Sequence, residues 1–570
     1  MHISFPLYTL FSIGKPNNTS RQVYDAVAST TVCRMTVNDN TENTSSNKWS
    51  NSNSDTEEAR KLTIWPLDEY NIQLLDAVHP KDYVSPKAIL DADAETSTYD
   101  LVVIGSGAGG LVTSKQAARR GVPRVALISE ELAGGDCLNV GCVPSKALIR
   151  SAKSIREVRR CADFGVRLTT SADGSADVQV SADFERIMAR MRKLRATIAP
   201  VDSHEATEEA GAAVFQGRGV FTSPTTISVN GQTTLEFNTC VVATGGRATL
   251  PSIKGLKEAP YTTNADLFNL TTLPKKMVII GSGVVALEMA QTFATFGSDV
   301  TVLNRSPRLF PRGDEDVARL IEAALVSDGV TFFHGVQYDA VKTISTANPV
   351  SMVVIGKNGD GQEMELECDL LLVAAGRTPN TSNLGLEDAV VEYDRGGIIV
   401  DDLLRCSNPN ILAVGDCVSG VPRLTHMAGE MAKVAVQNGI FNDSWKLSSL
   451  VVPATMYTEP EYASVGRIDT GDDVDVYMAS IEHNDRSILE SEEHPGFVKI
   501  LCAKGTDKIV GAMIVSSRAG EMINEIVLAM SQGIGLMGIG RCIHSYPTLG
   551  ESVMGVGLSY IRSQWKFLTN

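Results

Sequence analysis

Two cysteines, Cys137 and Cys142, lie in one glycine-rich segment with four residues between them. Pro144 follows and is predicted to start a helix, because proline suits the first helical position, where its missing N–H has no intrahelical partner. A helix N-terminus stabilises an anion, so a thiolate beside it has a lowered pKa and reacts more readily. The pair therefore predicts a redox-active disulfide that opens to a reactive dithiol.

Two other interpretations of the pair are an inert buried couple and half of a zinc site. A zinc site needs two further ligands close by, and no second cluster accompanies this pair. The other cysteines are dispersed through the chain, at positions 33, 161, 240, 368, 406, 417, 502 and 542. We therefore expect no resident metal ion, and one functional disulfide in a protein suited to a reducing compartment.

A dinucleotide-binding fingerprint precedes the cysteine pair. Residues 101–104 form a continuous apolar run, typical of a parallel strand that is buried on both faces. A predicted helix to Arg120 and a second strand at 125–128 complete a βαβ unit. Between the first strand and the helix, the spacing G-x-G-x-x-G favours a bound pyrophosphate and is formed by Gly105, Gly107 and Gly110.

The ribose of such a nucleotide usually meets a carboxylate at the end of the second strand. Ser129 holds that place, so the next residue, Glu130, is the candidate. Further candidate contacts with the same cofactor are Gly135 in the cysteine segment, the small-residue strand end Thr244-Gly245, and Asp416 after a buried strand. An aspartate at that place can accept hydrogen bonds from sugar-alcohol hydroxyls.

A second βαβ unit carries the spacing G-x-G-x-x-A in Gly281, Gly283 and Ala286. Its second strand, 300–303, ends in Asn304 and Arg305, with Arg308 close behind. A carboxylate at this place would bind a 2′-hydroxyl and repel a 2′-phosphate, whereas asparagine followed by arginines suits the phosphate. NADP is therefore favoured as the second cofactor. NAD is the alternative, with the arginines in an ordinary solvated loop.

Composition excludes several classes of function. The net charge of −16 argues against nucleic acid as a partner. No apolar run reaches the ~18 residues of a membrane-spanning helix, so we expect no membrane span. From Val451 onwards the pattern changes to α+β, with predicted strands at 453–457, 475–482 and 497–503 and a helix at 519–532.

Residues 1–95 are predicted to be a partly disordered N-terminal extension. Residues 38–54 are dominated by Asn, Ser and Thr, a composition that buries too little apolar surface to order itself. The first 24 residues carry two basic residues and no acid, which fits either an organellar (mitochondrial or plastid) targeting segment or the disordered start of a cytoplasmic protein. Residues 63–90 regain apolar content and are expected to pack as an arm.

Two dinucleotide folds and one cysteine pair indicate an electron relay from a nicotinamide hydride through a flavin to the disulfide. Cys142, nearer the helix start, is the predicted thiolate facing the flavin. Cys137 is the predicted sulfur that attacks the substrate, because exchange requires access from outside. Lys146 lies one turn further along and is expected to reach the flavin, with Glu288 of the second βαβ unit as its partner.

From about residue 98 to 560 the chain resembles the FAD-dependent pyridine nucleotide-disulfide oxidoreductases, which include glutathione reductase, dihydrolipoyl dehydrogenase and mercuric reductase. The motif GG-x-C-x-N-x-G-C-x-P-S-K at residues 134–146 carries this resemblance. It implies an α/β protein with two Rossmann-like domains, for FAD and NAD(P), and a C-terminal α+β dimerisation domain. It also implies that Gly376 lies near the nicotinamide nucleotide and Asp416 on the FAD ribityl chain.

The resemblance further implies a homodimer in which each C-terminal domain completes the partner's active site. The expected domains follow in order: an extension (1–95), the first part of the FAD domain (96–250), the NAD(P) domain (251–372), the second part of the FAD and central domain (373–447), and the dimerisation domain (448–570).

The tail motif is similar to that of mercuric reductase. Tyr546 stands where disulfide reductases place an acid/base histidine, and Glu551 keeps the place of the orienting carboxylate. A tyrosine of pKa about 10 is a poor base at neutral pH, although its hydroxyl can donate a hydrogen bond or contact a metal ion. His544 is an alternative base. The C-terminal cysteine pair of mercuric reductases has no counterpart, since the last cysteine is Cys542.

The sequence therefore predicts an NADPH-dependent FAD oxidoreductase that passes electrons through Cys137 and Cys142 to a small disulfide or a thiophilic metal ion, as mercuric reductase does. The alternatives are a dihydrolipoyl dehydrogenase or glutathione reductase, a flavin diaphorase that reduces quinones, and a flavin-bound interaction protein without catalysis.

Overall fold

The computed structural model describes residues 48–92, 98–168, 180–347 and 350–565. The candidate targeting segment and most of the Asn/Ser/Thr-rich stretch lie outside these ranges. Within the described ranges, no helix combines the length and the apolar character needed to cross a bilayer.

Three helices, joined by short loops, precede the first strand: α1 (Asn53–Lys61), α2 (Glu69–Val78) and α3 (Pro86–Ala92). Ser52 and Asp68 cap the first two, because each side chain accepts a hydrogen bond from a backbone N–H of the first turn. We call residues 48–92 the arm. Its start differs from the expectation for residues 38–54, since Trp49 is buried and donates its indole N–H to the carbonyl of His79.

The first βαβ domain begins at Thr98. Its elements are β1 (Thr98–Ile104), α4 (Ala108–Arg119), β2 (Val125–Ser129), α5 (Gly135–Asn139), α6 (Cys142–Arg159), α7 (Phe184–Ile198), α8 (His204–Glu209), β3 (Ala212–Gln216), β4 (Gly219–Ser223), β5 (Thr226–Val229), β6 (Thr233–Val242) and β7 (Gly246–Ala248). Strands β1 and β2 pair in parallel, as the apolar runs predict. Strands β3 and β4 are separated at Gly217, where φ is +150° and the Asn230 side chain leaves no room for a Cβ.

After the short helix α9 (Asn264–Leu267), the second βαβ domain comprises β8 (Lys276–Ile280), α10 (Val284–Phe296), β9 (Asp299–Leu303), α11 (Glu315–Ser327), β10 (Val330–Phe333), β11 (Gln337–Ser345), β12 (Ser351–Lys357), β13 (Glu363–Cys368) and β14 (Leu370–Val373). Four strands form a parallel sheet in the order β10-β9-β8-β14, and β11, β12 and β13 form an antiparallel sheet beside it.

The chain then returns to the first domain through β15 (Arg377–Pro379), β16 (Tyr393–Asp394), β17 (Gly397–Ile398), β18 (Ile411–Ala413) and α12 (Thr425–Ile440). Strand β18 pairs in parallel with β6 and so joins a seven-stranded sheet whose remaining order is β3-β2-β1-β6-β5-β4. Because β18 is separated from β6 by the whole second domain, the first domain is built from two stretches of sequence.

The C-terminal domain contains β19 (Pro453–Met456), β20 (Glu461–Gly466), β21 (Val474–Ser480), α13 (Asp485–Glu490), β22 (Phe497–Ala503), β23 (Ile509–Ser516), α14 (Ala519–Ser531), α15 (Leu536–Arg541) and α16 (Glu551–Ser563). Its antiparallel sheet has the order β19-β20-β23-β22-β21. Strands β20 and β23 and helix α16 were not anticipated from the sequence, whereas the helix expected at 519–532 is present as α14.

Both faces of β22 are buried. Because side chains alternate along a strand, its residues join two different apolar clusters. Phe497 and Leu501 join an apolar cluster with residues of the second βαβ domain, while Val498 and Ile500 pack with the C-terminal helices. Between Phe497 and Leu501, the Lys499 ammonium lies 2.6 Å from a carboxylate oxygen of Asp314. This buried ion pair ties the C-terminal sheet to the second domain.

Replacement of Trp49 by alanine tests whether the arm is an integral part of the fold. Removing a buried indole ring is expected to lower the free energy of unfolding by about 3 kcal/mol. Trp445→Ala is the control, because that side chain is 48% exposed and should cost under about 1 kcal/mol. Denaturant unfolding of the full chain measures both values, and equal losses would contradict a docked arm.

Candidate active site

The two cysteines lie in successive helices, α5 and α6, which pack against the first glycine turn. Cys137 lies within α5, and Cys142 is the first residue of α6. Gly135 has φ +54°, and a Cβ built there would lie 2.8 Å from the Cα of Gly107. Only glycine permits that approach, so the redox segment and the nucleotide fingerprint are held against each other.

The two thiols differ in acidity. The pKa of Cys142 is lowered to about 6, first by a hydrogen bond from the Cys137 thiol, then by the Thr425 hydroxyl and the Lys146 ammonium. The pKa of Cys137 is raised, because its proton is shared with the neighbouring thiolate and because it is half-buried. At neutral pH the proton therefore stays on Cys137, and Cys142 is the thiolate.

Thr425 is a site residue that the sequence reasoning missed. Its Oγ1 lies 3.3 Å from the Cys142 Sγ, and it is the first residue of α12. The two residues are 283 positions apart. The available signal was the position of Thr425 shortly after Asp416, in the segment that returns to the first domain.

Lys146 and Glu288 are in direct contact. The Lys146 Nζ lies 3.0 and 2.7 Å from the two carboxylate oxygens of Glu288. Glu288 is buried, and its Oε1 also accepts the backbone N–H of Tyr457 at 2.9 Å. Since the ammonium lies one turn from Cys142 on α6, the ion pair sets a fixed positive charge beside the thiolate.

A second cation, Arg377, lies beside the redox segment. Its guanidinium is hydrogen-bonded to Asp136, the neighbour of Cys137, and its Nε lies 3.1 Å from Asp416. It also donates to the Gly246 carbonyl. Arg377 therefore links the cysteine segment to the second part of the first domain. It directly follows Gly376 in the sequence, yet no pattern there indicated this role.

The first glycine turn has the shape that a pyrophosphate requires. Gly105 has φ +106°, and a Cβ there would lie 2.4 Å from the Ala243 carbonyl oxygen, while one on Gly110 would lie 1.8 Å from that of Gly105. No side chain caps the N-terminus of α4 after Gly107, so its N–H groups stay available to an anion. These residues fit FAD.

The second glycine turn repeats this arrangement. Gly281 has φ +114°, and a Cβ there would lie 2.3 Å from the Ala374 carbonyl oxygen. A Cβ on Gly283 would meet nothing within 4 Å, and no side chain caps α10, where Ala286 is buried. The turn therefore leaves open space at a helix N-terminus, which fits the pyrophosphate of a nicotinamide dinucleotide.

The end of β2, where a carboxylate that binds the ribose is expected, carries Ser129 and then Glu130. Ser129 is buried and is hydrogen-bonded to Ser106 and His204. Glu130 is exposed, and its carboxylate lies 2.7 Å from Arg218. The carboxylate that follows β2 is therefore one residue later than usual and is paired with an arginine.

At the corresponding place in the second domain, Asn304 is buried, accepts from Ser282 and donates to the Arg308 carbonyl. The Arg308 guanidinium donates to the carbonyls of Leu309 and Phe310, so it holds the loop. Arg305 is exposed, and among the described residues it has no hydrogen-bond or ion-pair partner. Of the three, Arg305 is the side chain that an incoming phosphate can reach.

The strand ends near the cofactor sites are joined to each other. The Thr244 hydroxyl donates to the Asn380 carbonyl at 2.7 Å, and the Asn380 amide donates back to the Thr244 carbonyl at 2.9 Å. Gly245, with φ +69°, lies at this contact, and its carbonyl accepts the Asn380 N–H. Gly376, with φ +131°, lies at the other end of the β7–β15 pairing, where its carbonyl accepts the Thr249 N–H.

The C-terminal tail is separate from the cysteine pair within one chain. Tyr546 is 72% exposed and donates to Asp485 at 2.7 Å, and Glu551 accepts the Thr548 N–H. His544 has both ring nitrogens engaged, by Glu525 and by the Cys542 carbonyl. His544 is therefore unsuited to the role of base. In the part of the chain that the structure describes, no hydrogen bond or ion pair links Tyr546 or Glu551 to either cysteine.

In the described ranges, no group of three or more His, Cys, Asp and Glu side chains converges in a way that could hold a metal ion.

Residues 99–432 match the model of the pyridine nucleotide-disulphide oxidoreductase family, and residues 452–556 match that of its dimerisation domain. The chain belongs to this family. Members use FAD and NAD(P)H, so FAD and a nicotinamide dinucleotide are confirmed as cofactors, as is the predicted α/β fold with a C-terminal dimerisation domain. The chain is accordingly an oxidoreductase of the flavoprotein disulfide class.

Several known members of the family align with most of the chain. Mercuric reductase of Lysinibacillus sphaericus is 30% identical over 509 residues, covering 88% of this chain and 89% of that protein. The mitochondrial dihydrolipoyl dehydrogenase 2 of Arabidopsis thaliana is 32% identical over 475 residues, covering 81% and 90%. The HOCl-induced flavoprotein disulfide reductase RclA of Escherichia coli shares the fold, with a TM-score of 0.70 at 24% identity, covering 81% and 99%.

Thr425→Val tests the hydroxyl beside Cys142. The variant loses a hydrogen bond to the thiolate, so the pKa of Cys142 should rise from about 6 by about 0.5–1 unit. Because the thiolate forms above that pKa, alkylation of Cys142 by iodoacetamide should slow most near pH 6 and little at pH 9. Thr197→Val on the exposed face of α7 is the control, and an unchanged midpoint for Thr425→Val would contradict the assignment.

Proposed function

We propose that this protein is an NADPH-dependent FAD oxidoreductase that transfers electrons through Cys137 and Cys142 to a small disulfide or a thiophilic metal ion. The observation that carries the proposal is the setting of Cys142, which begins α6 with its sulfur 3.3 Å from the Thr425 hydroxyl and one turn from the Lys146–Glu288 ion pair. Two inert structural cysteines would have no reason to be poised in this way.

The chain's own groups account for the chemistry at sulfur. When bound, FAD supplies the hydride acceptance and two-electron transfer that convert the disulfide to a dithiol. In the dithiol, Lys146 and the Thr425 hydroxyl stabilise Cys142 as the thiolate. The Lys146 charge is held in place by the buried carboxylate of Glu288, so it needs no rearrangement during turnover.

With a disulfide substrate, the proton of Cys137 passes along the hydrogen bond to Cys142. The Cys137 thiolate then attacks one substrate sulfur, and a mixed disulfide forms as the first thiolate leaves. The first product thiolate takes up the proton that Cys142 now carries. The Cys142 thiolate then attacks the Cys137 sulfur of the mixed disulfide and releases the second product as a thiolate. One disulfide bond is broken and one is formed, and the substrate gains two electrons.

We further propose a homodimer in which Tyr546 and Glu551 of each subunit complete the site of the other. Two observations support it: the chain carries the family's dimerisation domain, and Tyr546 and Ile543 are exposed in the single chain. The Tyr546 pKa is raised by its hydrogen bond to Asp485, so the hydroxyl keeps its proton at neutral pH. It would therefore act by donating a hydrogen bond.

The substrate class rests on the relatives and on Tyr546. Mercuric reductases and dihydrolipoyl dehydrogenases align at similar identity, so the comparisons favour neither substrate. Because Tyr546 keeps its proton, it cannot take up and return protons as a histidine does, which favours a thiophilic metal ion, whose reduction needs no such proton transfer. A dihydrolipoyl dehydrogenase or glutathione reductase activity is the alternative within the family, and direct reduction of quinones at the flavin is a third.

Cys137→Ser separates these activities. NADPH-dependent reduction of Hg²⁺, glutathione disulfide or lipoamide should fall by at least about 100-fold, while quinone reduction should survive, because only the former need the thiol. Cys161→Ser, just beyond α6, is the control and should retain every activity. Full Hg²⁺ and disulfide reduction by Cys137→Ser would overturn the proposal, and quinone reduction alone in the wild type would favour a diaphorase.

Arg305→Ala tests the preference for NADPH. Loss of a guanidinium that binds the 2′-phosphate should raise the KM for NADPH about tenfold and leave the KM for NADH unchanged. Arg319→Ala, an exposed arginine on α11, is the matched control. Equal effects on both nucleotides would show that Arg305 does not read the phosphate.

A further inference from the structure

We propose that the arm, residues 48–92, is a positioning element for the redox loop, residues 131–142, and that Asn71 and Arg195 form its central link. The arm precedes the segments that match the family, which begin at residue 99. The inference rests on the proposed function of Cys137 and Cys142, and it assigns these two polar residues a part in holding the cysteines.

The first contacts are backbone hydrogen bonds at the start of the redox loop. The N–H of Ala133 donates to the carbonyl of Val78 at 3.0 Å, and the His79 Nδ1 lies 3.2 Å from the Glu131 carbonyl. The His79 Nε2 faces the Gln216 amide nitrogen at 2.9 Å, so this ring nitrogen accepts and Nδ1 donates. The end of α2 is thereby fastened to the loop ahead of the cysteines.

The central link is a buried guanidinium. Arg195 of α7 is fully buried, and it donates to the Asn139 carbonyl at 2.6 Å and to the Asn71 Oδ1 at 2.7 Å. Asn71 is fully buried as well, and its amide donates to the Pro66 carbonyl at 2.6 Å. A buried charged donor or its acceptor that loses its partner costs more free energy than the hydrogen bond contributes when it forms. The link therefore opposes separation of the arm from the redox loop.

Apolar packing completes the attachment. Leu138, next to Cys137, is buried in a cluster that the arm and the loop build together. The arm contributes the larger share of this cluster, through Trp49, Ala59, Ile64, Leu67, Leu74, Leu75 and Val78. The side chain following Cys137 is thus anchored in the arm rather than in the nucleotide-binding sheet.

The position of Cys137 depends on these contacts. Helix α5 has five residues, too few for a helix that is stable by itself, so tertiary contacts must hold it. The hydrogen bond from Cys137 is the largest stabilising influence on the Cys142 thiolate. The charged groups facing that thiolate, Lys146 and Glu288, lie on α6 and α10, outside the arm, with Thr425 on α12 and Tyr457 as neutral neighbours. A displaced α5 would therefore weaken the Cys137 contribution alone.

The test compares Arg195→Met and Asn71→Ala in the full-length, FAD-loaded protein. After reduction, the pH dependence of iodoacetamide alkylation at Cys142 gives the midpoint of its titration, and peptide mass spectrometry assigns the site. Both variants should shift the midpoint upward, so that alkylation at pH 6 slows about fivefold. Hydrogen exchange of the 131–142 peptide should accelerate in both. Arg186→Met, an exposed arginine on the same helix, should match the wild type in both measurements.

Asn71→Asp keeps the oxygen that accepts from Arg195 but loses the amide that donates to the Pro66 carbonyl, so its midpoint should lie between those of the wild type and Asn71→Ala. A midpoint no better than that of Asn71→Ala would show that the bond to Arg195 does not set the Cys142 titration. If Arg195→Met fails to fold, Asn71→Ala decides the matter, because Arg195 then keeps its bond to Asn139. Wild-type midpoints and exchange rates in Asn71→Ala would overturn the inference. A wild-type Cys142 that titrates like an ordinary thiol would contradict the proposed function instead. In that case, hydrogen exchange of the 131–142 peptide alone would test whether the arm holds the redox loop.

Discussion

The electrostatic coupling between Cys137 and Cys142 is the interaction on which the proposed chemistry of this protein depends. It assigns the proton to Cys137 and the negative charge to Cys142, and it does so only while the two sulfurs stay within reach. The thiols belong to two different helices, the five-residue α5 and the 18-residue α6, so their distance is not set by one regular element. Much of the surrounding structure serves to keep that separation constant.

The charges around the two cysteines stabilise the Cys142 thiolate only moderately, so it can still react. Lys146 is close enough to stabilise Cys142, yet its charge is shared with the buried Glu288 carboxylate. On the opposite side, Asp136 would repel a thiolate on its neighbour Cys137, but Arg377 compensates its charge. The balance leaves a thiol that ionises near neutral pH and can still act as a leaving group in exchange.

Close backbone approach is the second constraint. The redox segment contacts the first glycine turn through Gly135 and Gly107. Both glycine turns pack against carbonyl groups at strand ends, and these carbonyls would collide with a Cβ. These contacts hold the cysteine segment against the first glycine turn. The first domain is completed after the second one, since β18 returns to pair with β6.

The sequence by itself determined the local parts: both βαβ units, the glycine turns and the presence of a helix after the cysteine pair, although α6 begins at Cys142, two residues before Pro144. These depend on residues a few positions apart, where periodicity and backbone preference act directly. Lys146 and Glu288 could be paired in advance because each belongs to such a motif. Only the tertiary structure decided what Thr425, Arg377, Arg195 and Asn71 do, since each has one partner more than a hundred positions away. It also ordered Trp49, because the apolar surface that buries it comes from elsewhere in the chain and cannot be read from the polar composition around it.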